Sequence, residues 1–421
     1  MKIVIYAIGS RGDVQPYIAI GQGLRAAGHT VTLATVAYFR DLVAESGLAY
    51  HPVAGDVEAM LVAPSTIRAM ESGRRTLRAL TNIWAMTRPY LTQMGDDCLA
   101  AAQGADVLVA STLAIHSYPI GDALGIAVLP AIPYPLFTPT RAFPNPVWPV
   151  RRVPAVLNPL TTRIAALSAW QLARPHINRW ARARFGMRGY GPVGPFRRFF
   201  QQRTPVMYGY SPSLIPRPAG WNSTVHVTGY WSLGAQAGWQ PPADLVEFLA
   251  AGPPPEYIGF GSRRSRDPAA ATALMVEGLR RAGQRGVLLT GWDGLRRPDS
   301  HPEDLFFVES IPHAWLFPRM AAVVHHGGAG TTASGLRAGV PSVLIPHFGD
   351  QPFWARQVHQ AGVGPEPVMR RDLTPDRLAH AIRQALTDEA MQRRAADLGA
   401  RIRAEDGVGA AVRVIEAALS G

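Results

Sequence analysis

Short apolar runs that close on glycine or serine, each followed by a helical segment, recur in two series along this chain. No other feature constrains its fold as strongly. "KIVIYAI" closes on Gly9, and "DVQPYIAIGQGLRAAGH" sets Tyr17, Ile20 and Leu24 on one helical face and stops at Gly28. "TVTLATV" comes next. Strand, loop, helix, strand is a βαβ unit, and runs this apolar and β-branched suit strands covered on both faces. "GADVLVAS" and "GIAVLPAIPY" extend the series. A second series has strands at "PEYIGFGS", "RGVLLTGW", "LFFVES", "AAVVHHG" and "PSVLIPHFGD". Helices are expected at "DPAAATALMVEGLRRAG", at "TTASGLRAG" and through most of the chain after Thr374. A Pro-rich, Arg-rich segment from about Pro139 to Arg203 interrupts the pattern.

At 421 residues the chain exceeds one ordinary core, and two series imply two domains. They join near "GYWSLGAQAGWQPP". We place the first domain at 1–220 and the second at 221–402, with a last helix, about 403–421, expected to pack back on the first. The expected class is α/β, with two Rossmann-like doubly wound domains facing a central cleft. Ligands of such sheets bind beyond the carboxyl ends of the strands.

The lone cysteine, Cys98, rules out an intramolecular disulfide and argues against a thiolate zinc site. A reducing cytoplasm is the simplest compartment. "MKIVIYAIGSRGD" is too short in its apolar run for a signal peptide, and no stretch reaches the about 20 apolar residues of a membrane span. The expectation is a cytoplasmic protein, with peripheral membrane contact as a further use of its charge.

That charge is +12 and uneven. Lys2 is the only lysine, which a high-GC coding bias explains. No Asp or Glu occurs between Asp122 and Asp244, whereas Arg141, Arg151, Arg152, Arg163, Arg174, Arg179, Arg182, Arg184, Arg188, Arg197, Arg198 and Arg203 all fall there. Trp148, Trp170, Trp180, Phe185, Phe196, Phe199 and Phe200 are interleaved with them. Segment 141–203 therefore reads either as an amphipathic surface for anionic lipid or as helices whose arginines face water. Nothing else in the chain supports nucleic acid as a partner.

The segment "VVHHGGAGTTASGLRAGVPSVLIPHFGDQPFW", Val323 to Trp354, carries the chemistry. Gly327, Gly328 and Gly330 let backbone approach a ligand where a strand gives way to a helix. The helix N-terminus offers unbonded N–H groups and partial positive charge, an anion site suited to a diphosphate. Thr331 and Thr332 add hydroxyls and His326 a ring nitrogen. The spacing is not that of a P-loop. His325 and His326, adjacent on a strand, face opposite ways and make a poor metal pair. Ser262 ends another strand of the second series, and "GSRGD" brings Ser10, Arg11, Gly12 and Asp13 to the end of the first strand. Asp13 reads either as a helix-start carboxylate or as a general base facing a diphosphate-bound ligand. "GSRGD" does not match the Gly-x-Gly-x-x-Gly turn of a nicotinamide dehydrogenase.

In combination, "GSRGDVQPYIAIGQGLRAAGHTVTLAT", "IGFGS" and "ESIPHAWLFPRMAAVVHHGGAGTTASGLRAGVPSVLIPHFGDQPFWARQV" resemble the nucleotide-sugar glycosyltransferases of the two-Rossmann-domain GT-B type, family 1. The likeness is to the vancomycin-type natural-product enzymes and the sterol 3β-glucosyltransferases. It covers both domains and is thinnest between about Pro139 and Arg203. It implies an inverting, metal-independent hexosyl transfer from a UDP- or dTDP-sugar to a hydroxyl of a hydrophobic small molecule, with no cofactor beyond that donor. Asp13 would be the base, and His326 would steady the leaving diphosphate with Ser262, Thr331 and the amides of Gly328, Ala329 and Gly330. Ser10, Arg11 and Gly12 would flank the donor, Ile311 to His313 would hold the nucleobase with Trp292 in support, and Asp350 and Gln351 would grip sugar hydroxyls. Ser334 and Ser310 stand where many relatives carry a ribose-binding Glu and a base-stacking Trp, which leaves UDP and dTDP both open. Segments rich in aromatic residues and proline in the first domain suit a flat apolar acceptor, with Trp84, His116, Tyr134, Phe137 and Phe348 as contacts. His116 is also the runner-up for the base, and has a further reading as a half-buried structural histidine. A nucleotide-sugar epimerase or hydrolase on the same fold, or a non-catalytic nucleotide- or lipid-binding partner, are the alternatives. The chain is expected as a monomer or homodimer.

Overall fold

The computed structural model describes residues 1–56, 84–149, 153–234, 238–261, 266–291 and 294–418. Among the described residues, twelve strands form two all-parallel sheets. In the first, β1 (Lys2–Tyr6), β2 (Thr30–Val36), β3 (Ala49–Val53), β4 (Val107–Ala110), β5 (Ala127–Ile132), β6 (Val206–Tyr208) and β7 (Val225–Val227) lie in the order β3-β2-β1-β4-β5-β6-β7. In the second, β8 (Glu256–Gly259), β9 (Gly286–Leu289), β10 (Leu305–Val308), β11 (Val323–His325) and β12 (Ser342–Leu344) lie in the order β10-β9-β8-β11-β12. The longer helices are α1 (Arg11–Ala26), α2 (Leu91–Ala101), α3 (Ser117–Leu124), α4 (Asn158–Phe185), α5 (Ala243–Ala250), α6 (Pro268–Ala282), α7 (Ala329–Ala338), α8 (Gln351–Gln360), α9 (Pro375–Thr387), α10 (Glu389–Ala404) and α11 (Gly407–Ala417). Among the described residues no helix is long and apolar enough to cross a membrane.

The chain divides into two compact units. Among described residues, the first holds Met1 to Asp56, Trp84 to Leu233 and Glu405 to Ala418, and the second Gly234 to Ala404. The seam falls beyond 220, because β7 pairs with β6 and draws its neighbours into the first sheet. Helix α11 packs on α1 of the same unit. A Cβ on Gly23 would lie 2.5 Å from Val408, so the missing side chain is what lets the two helices approach. His29 Nε2 lies 3.0 Å from Glu416 Oε1 across the same contact.

Each sheet has a covered core. Val4, Tyr6, Leu108, Met94 and Cys98 pack on one side of the first. Ile258, Met275, Leu279, Val324 and Ile382 pack on one side of the second. Segment 139–203, read in the sequence as an interruption holding either an amphipathic surface or helices with solvent-facing arginines, contains the 28-residue helix α4. Its aromatic residues mostly turn inward: Trp170, Trp180, Phe196 and Phe199 are all buried. They are therefore core groups rather than half of an interfacial face.

Candidate active site

Strand order reverses at one point in each sheet, between β1 and β4 in the first and between β8 and β11 in the second. Connections leave in opposite directions there and open a crevice at the carboxyl ends. In the second unit the register places His325 beside Gly259, so the turns after β8 and β11 emerge together. A Cβ on Gly261 would lie 3.3 Å from His326 Cε1.

The turn after β11 is built around glycine. Gly328 is the N-cap of α7, and the first bond inside that helix runs from Thr332 N–H to the Gly328 carbonyl at 2.9 Å. The N–H groups of Ala329, Gly330 and Thr331 thus precede the helix ladder and are left for a ligand. A Cβ at Gly328 would sit 2.5 Å from His326 Nε2, so glycine is what leaves room for that ring over the helix mouth. Thr331 is half-buried at this end, whereas Thr332 is fully enclosed, which removes its hydroxyl from the ligand side.

His325 was weighed in the sequence only as a metal ligand, and the structure gives it another role. Its Nδ1 accepts the Gly327 N–H at 3.1 Å and so shapes the turn. Burial, and then the nearby His313, push its pKa down to about 3, which keeps that nitrogen an acceptor. The two adjacent rings stand 6.4 Å apart at 85°. The "HH" doublet was the only signal in the sequence for this division of labour.

The Asp-Gln pair lies beside the same turn, since a Cβ on Gly327 would be 3.3 Å from the Gln351 carbonyl. Gln351 itself is buried, and its Oε1 accepts from the N–H groups of His347 and Phe348 at 2.9 and 3.3 Å. That carbonyl braces the loop, so of the expected sugar-gripping pair it is Asp350 that keeps a half-exposed carboxylate. One oxygen of Asp350 accepts from Trp354 Nε1 at 2.9 Å. Ile311 is buried, and His313 stacks on Phe317 at 4.2 Å with Nε2 3.2 Å from Tyr257 Oη. Ser262 and Trp292 lie outside the described residues.

In the first unit, Asp13 sits in the first turn of α1, directly beyond β1. Its Oδ2 accepts from the backbone N–H and the Oγ of Ser10, both at 2.8 Å. Gly9 makes this possible. It has φ +140°, and a Cβ there would fall 2.6 Å from Asp13 Oδ2. Arg11 and Gly12 are exposed on the same turn. The carboxylate is thus both a helix cap and a half-exposed group at the switch point of its sheet.

Two expected acceptor contacts are corrected. His116 is fully buried, edge-on to Trp180 at 5.1 Å, and neither ring nitrogen has a hydrogen-bond partner among the described residues. Burial drives its pKa down to about 3, the setting of an enclosed neutral histidine. Phe137 is also buried, packed on Phe196 and Phe199 at 4.9 and 5.6 Å. Both are enclosed because α4 and the short helix after it cover this side of the unit. Trp84, Tyr134 and Phe348 remain half-buried.

Comparison with known proteins places these features in one family. Residues 3–129 match the glycosyltransferase family 28 N-terminal domain, and residues 293–412 match the erythromycin biosynthesis protein CIII-like C-terminal domain. The sterol 3-beta-glucosyltransferase UGT80B1 of Arabidopsis thaliana is 34% identical over 425 residues, covering 98% of this chain and 67% of that protein. The chain belongs to the family 1 glycosyltransferases. It spans about two thirds of the length of its plant relatives, 65% and 67%, and 27–30% of the fungal ones. The fold is GT-B, as in the glycotransferase of kitacinnamycin, with TM-score 0.72, 20% identity and 99% and 98% of the two chains covered. The Streptomyces glycosyltransferase SsfS6 complexed with thymidine diphosphate matches with TM-score 0.63 and 20% identity, covering 99% of each chain.

Proposed function

We propose that the chain is an inverting glycosyltransferase that moves a hexose from a nucleoside-diphosphate donor to a hydroxyl of a hydrophobic small molecule. The observation that carries this reading is the meeting of the β8 and β11 turns at a strand-order switch, with His326 set over the glycine mouth of α7. The acceptor oxygen attacks the anomeric carbon and gives its proton to the Asp13 carboxylate. The bond from that carbon to the diphosphate breaks, and the nucleoside diphosphate leaves with the electron pair. His326, Thr331 and the first amides of α7 meet the growing charge, each aimed donor contributing about 3 kcal/mol. The positive end of α7 supplies the neutralisation that a divalent cation supplies in other transferases, so this reading needs no metal. Asp350 takes sugar hydroxyls.

For the donor, UDP and dTDP both stay open: Ser334, in place of a ribose-binding Glu, offers no carboxylate to select a 2′-hydroxyl, and its own hydroxyl donates to the Gly330 carbonyl at 3.0 Å. For the acceptor, likeness to sterol 3-beta-glucosyltransferases along 98–99% of the chain favours a flat, sterol-like alcohol over other natural-product aglycones. Calorimetric titration of UDP and dTDP without metal tests the reading. Saturable binding of either supports it and names the donor class. Binding of neither removes the physical basis of the site.

A further inference from the structure

The N-terminal half of α4 turns an aliphatic stripe outward. Leu157 just before the helix, and Leu160 and Ile164 within it, are 47%, 50% and 41% exposed, and Val156 beside them 67%. At 3.6 residues per turn, positions 157, 160 and 164 share one face. The opposite face is spent on the core through Ala166, Trp170, Ala173 and Ile177. So large an outward aliphatic surface on two turns of helix is not ordinary scatter.

Charge frames the stripe. Arg141 and Arg163 are exposed beside it, Arg141 held at the helix start by a bond from Asn158 Nδ2 to its carbonyl at 2.9 Å. Arg179 and Arg182 are exposed further along α4. The segment supplies no counter-charge, because no acidic residue occurs between Asp122 and Asp244. Arg184 and Arg198 are already paired, with Asp96 and Asp122. Aliphatic side chains flanked by exposed arginine, without an aromatic anchor or base-stacking ring among them, match the acyl boundary and phosphates of a lipid surface better than a protein or nucleic acid.

We infer that the N-terminal half of α4 is a docking face for anionic bilayers, with Leu157, Leu160 and Ile164 inserted and Arg141 and Arg163 against headgroup phosphates. The helix start is tied to the segment after β5: Asn145 N–H donates to Thr161 Oγ1 at 2.8 Å, and Asn145 Nδ2 to the Leu136 carbonyl at 2.7 Å. Docking therefore brings the Pro133–Pro146 segment to the lipid, and a membrane-dissolved acceptor is delivered there. Delivery rests on the acceptor reading above, whereas docking does not.

Flotation of the full chain with phosphatidylcholine vesicles, with and without phosphatidylglycerol and at low and high salt, tests the inference. The expected result is binding to the phosphatidylglycerol vesicles that salt weakens. Leu160→Gln/Ile164→Gln should bind about tenfold more weakly at both salts, and Arg141→Gln/Arg163→Gln should lose much of the preference for phosphatidylglycerol. No binding, or binding that the aliphatic variant leaves unchanged, overturns it, the latter because contact would then be by charge alone. Cooperative melting of the aliphatic variant verifies its fold. If nucleotide titration fails while flotation succeeds, the transferase reading falls and docking stands.

Discussion

Asp13 Oδ2 takes two hydrogen bonds from Ser10, one from the backbone N–H and one from Oγ, each 2.8 Å long. The carboxylate is held in one orientation by the helix it caps, which is the preorganisation a general base needs. Asparagine can keep an oxygen on Ser10 but cannot take a proton. Asp13→Asn should therefore retain nucleotide affinity and lose transfer by about 10²- to 10⁴-fold in initial-rate assays. Asp13→Ala should in addition lose about 1 kcal/mol of stability with the cap. Turnover of the asparagine variant at the parent rate would remove Asp13 from this role.

Gly328→Ala puts a methyl group 2.5 Å from His326 Nε2. The backbone there, φ −65° and ψ 147°, accepts alanine without strain, so the change acts on the ring and the ligand rather than on the fold. UDP or dTDP affinity should fall about tenfold by calorimetry while the melting temperature barely moves. Unchanged affinity would place the diphosphate elsewhere.

Two buried histidines should make the protein acid-sensitive. His116 and His325 stay neutral in the fold down to about pH 3, but the unfolded chain protonates them below 6.5. Stability is lost as pH falls from 6.5 towards 3, by about 2 kcal/mol for each at pH 5. His116→Leu should flatten part of this slope in urea titrations at pH 5 and pH 7. Parallel slopes in parent and variant would show that the ring reaches water. A raised acceptor KM in the same variant would return His116 to the acceptor site.

Glu256 acts in the opposite direction. It is fully buried at the start of β8 with no hydrogen-bond partner for either oxygen among the described residues, and burial pushes its pKa up to about 8. The fold keeps it protonated where the unfolded chain, with a value near 4.5, has released its proton. Stability thus declines as pH rises from 4.5 to about 8. Glu256→Gln should exceed the parent by about 3 kcal/mol at pH 7, with the gap closing towards about pH 4. A gap that does not change with pH would show that the carboxyl is hydrated.

The strands at the centre of both sheets were legible because each is a continuous apolar run closed by a turn residue. Helix α4 was not. Leu157, Leu160 and Ile164 face outward while Trp170, Ile177 and Trp180 face inward, so apolar residues fall on both sides and the helical period blurs. Pro175 inside the helix hides it further. Strands β6 and β7 have three residues each, too few for any period to register.

Local chemistry alone determined two Rossmann-like series, a glycine-lined helix mouth after β11 and a carboxylate at the start of α1. Those are properties of neighbours in the chain. Burial and partner choice belong to residues far apart in sequence. The fold alone decided that Gln351 braces a loop, that Phe137 meets Phe196 and Phe199, and that His116 is sealed against Trp180. The same side chain in open solvent would do none of these things, because only packing removes the water that would otherwise satisfy it.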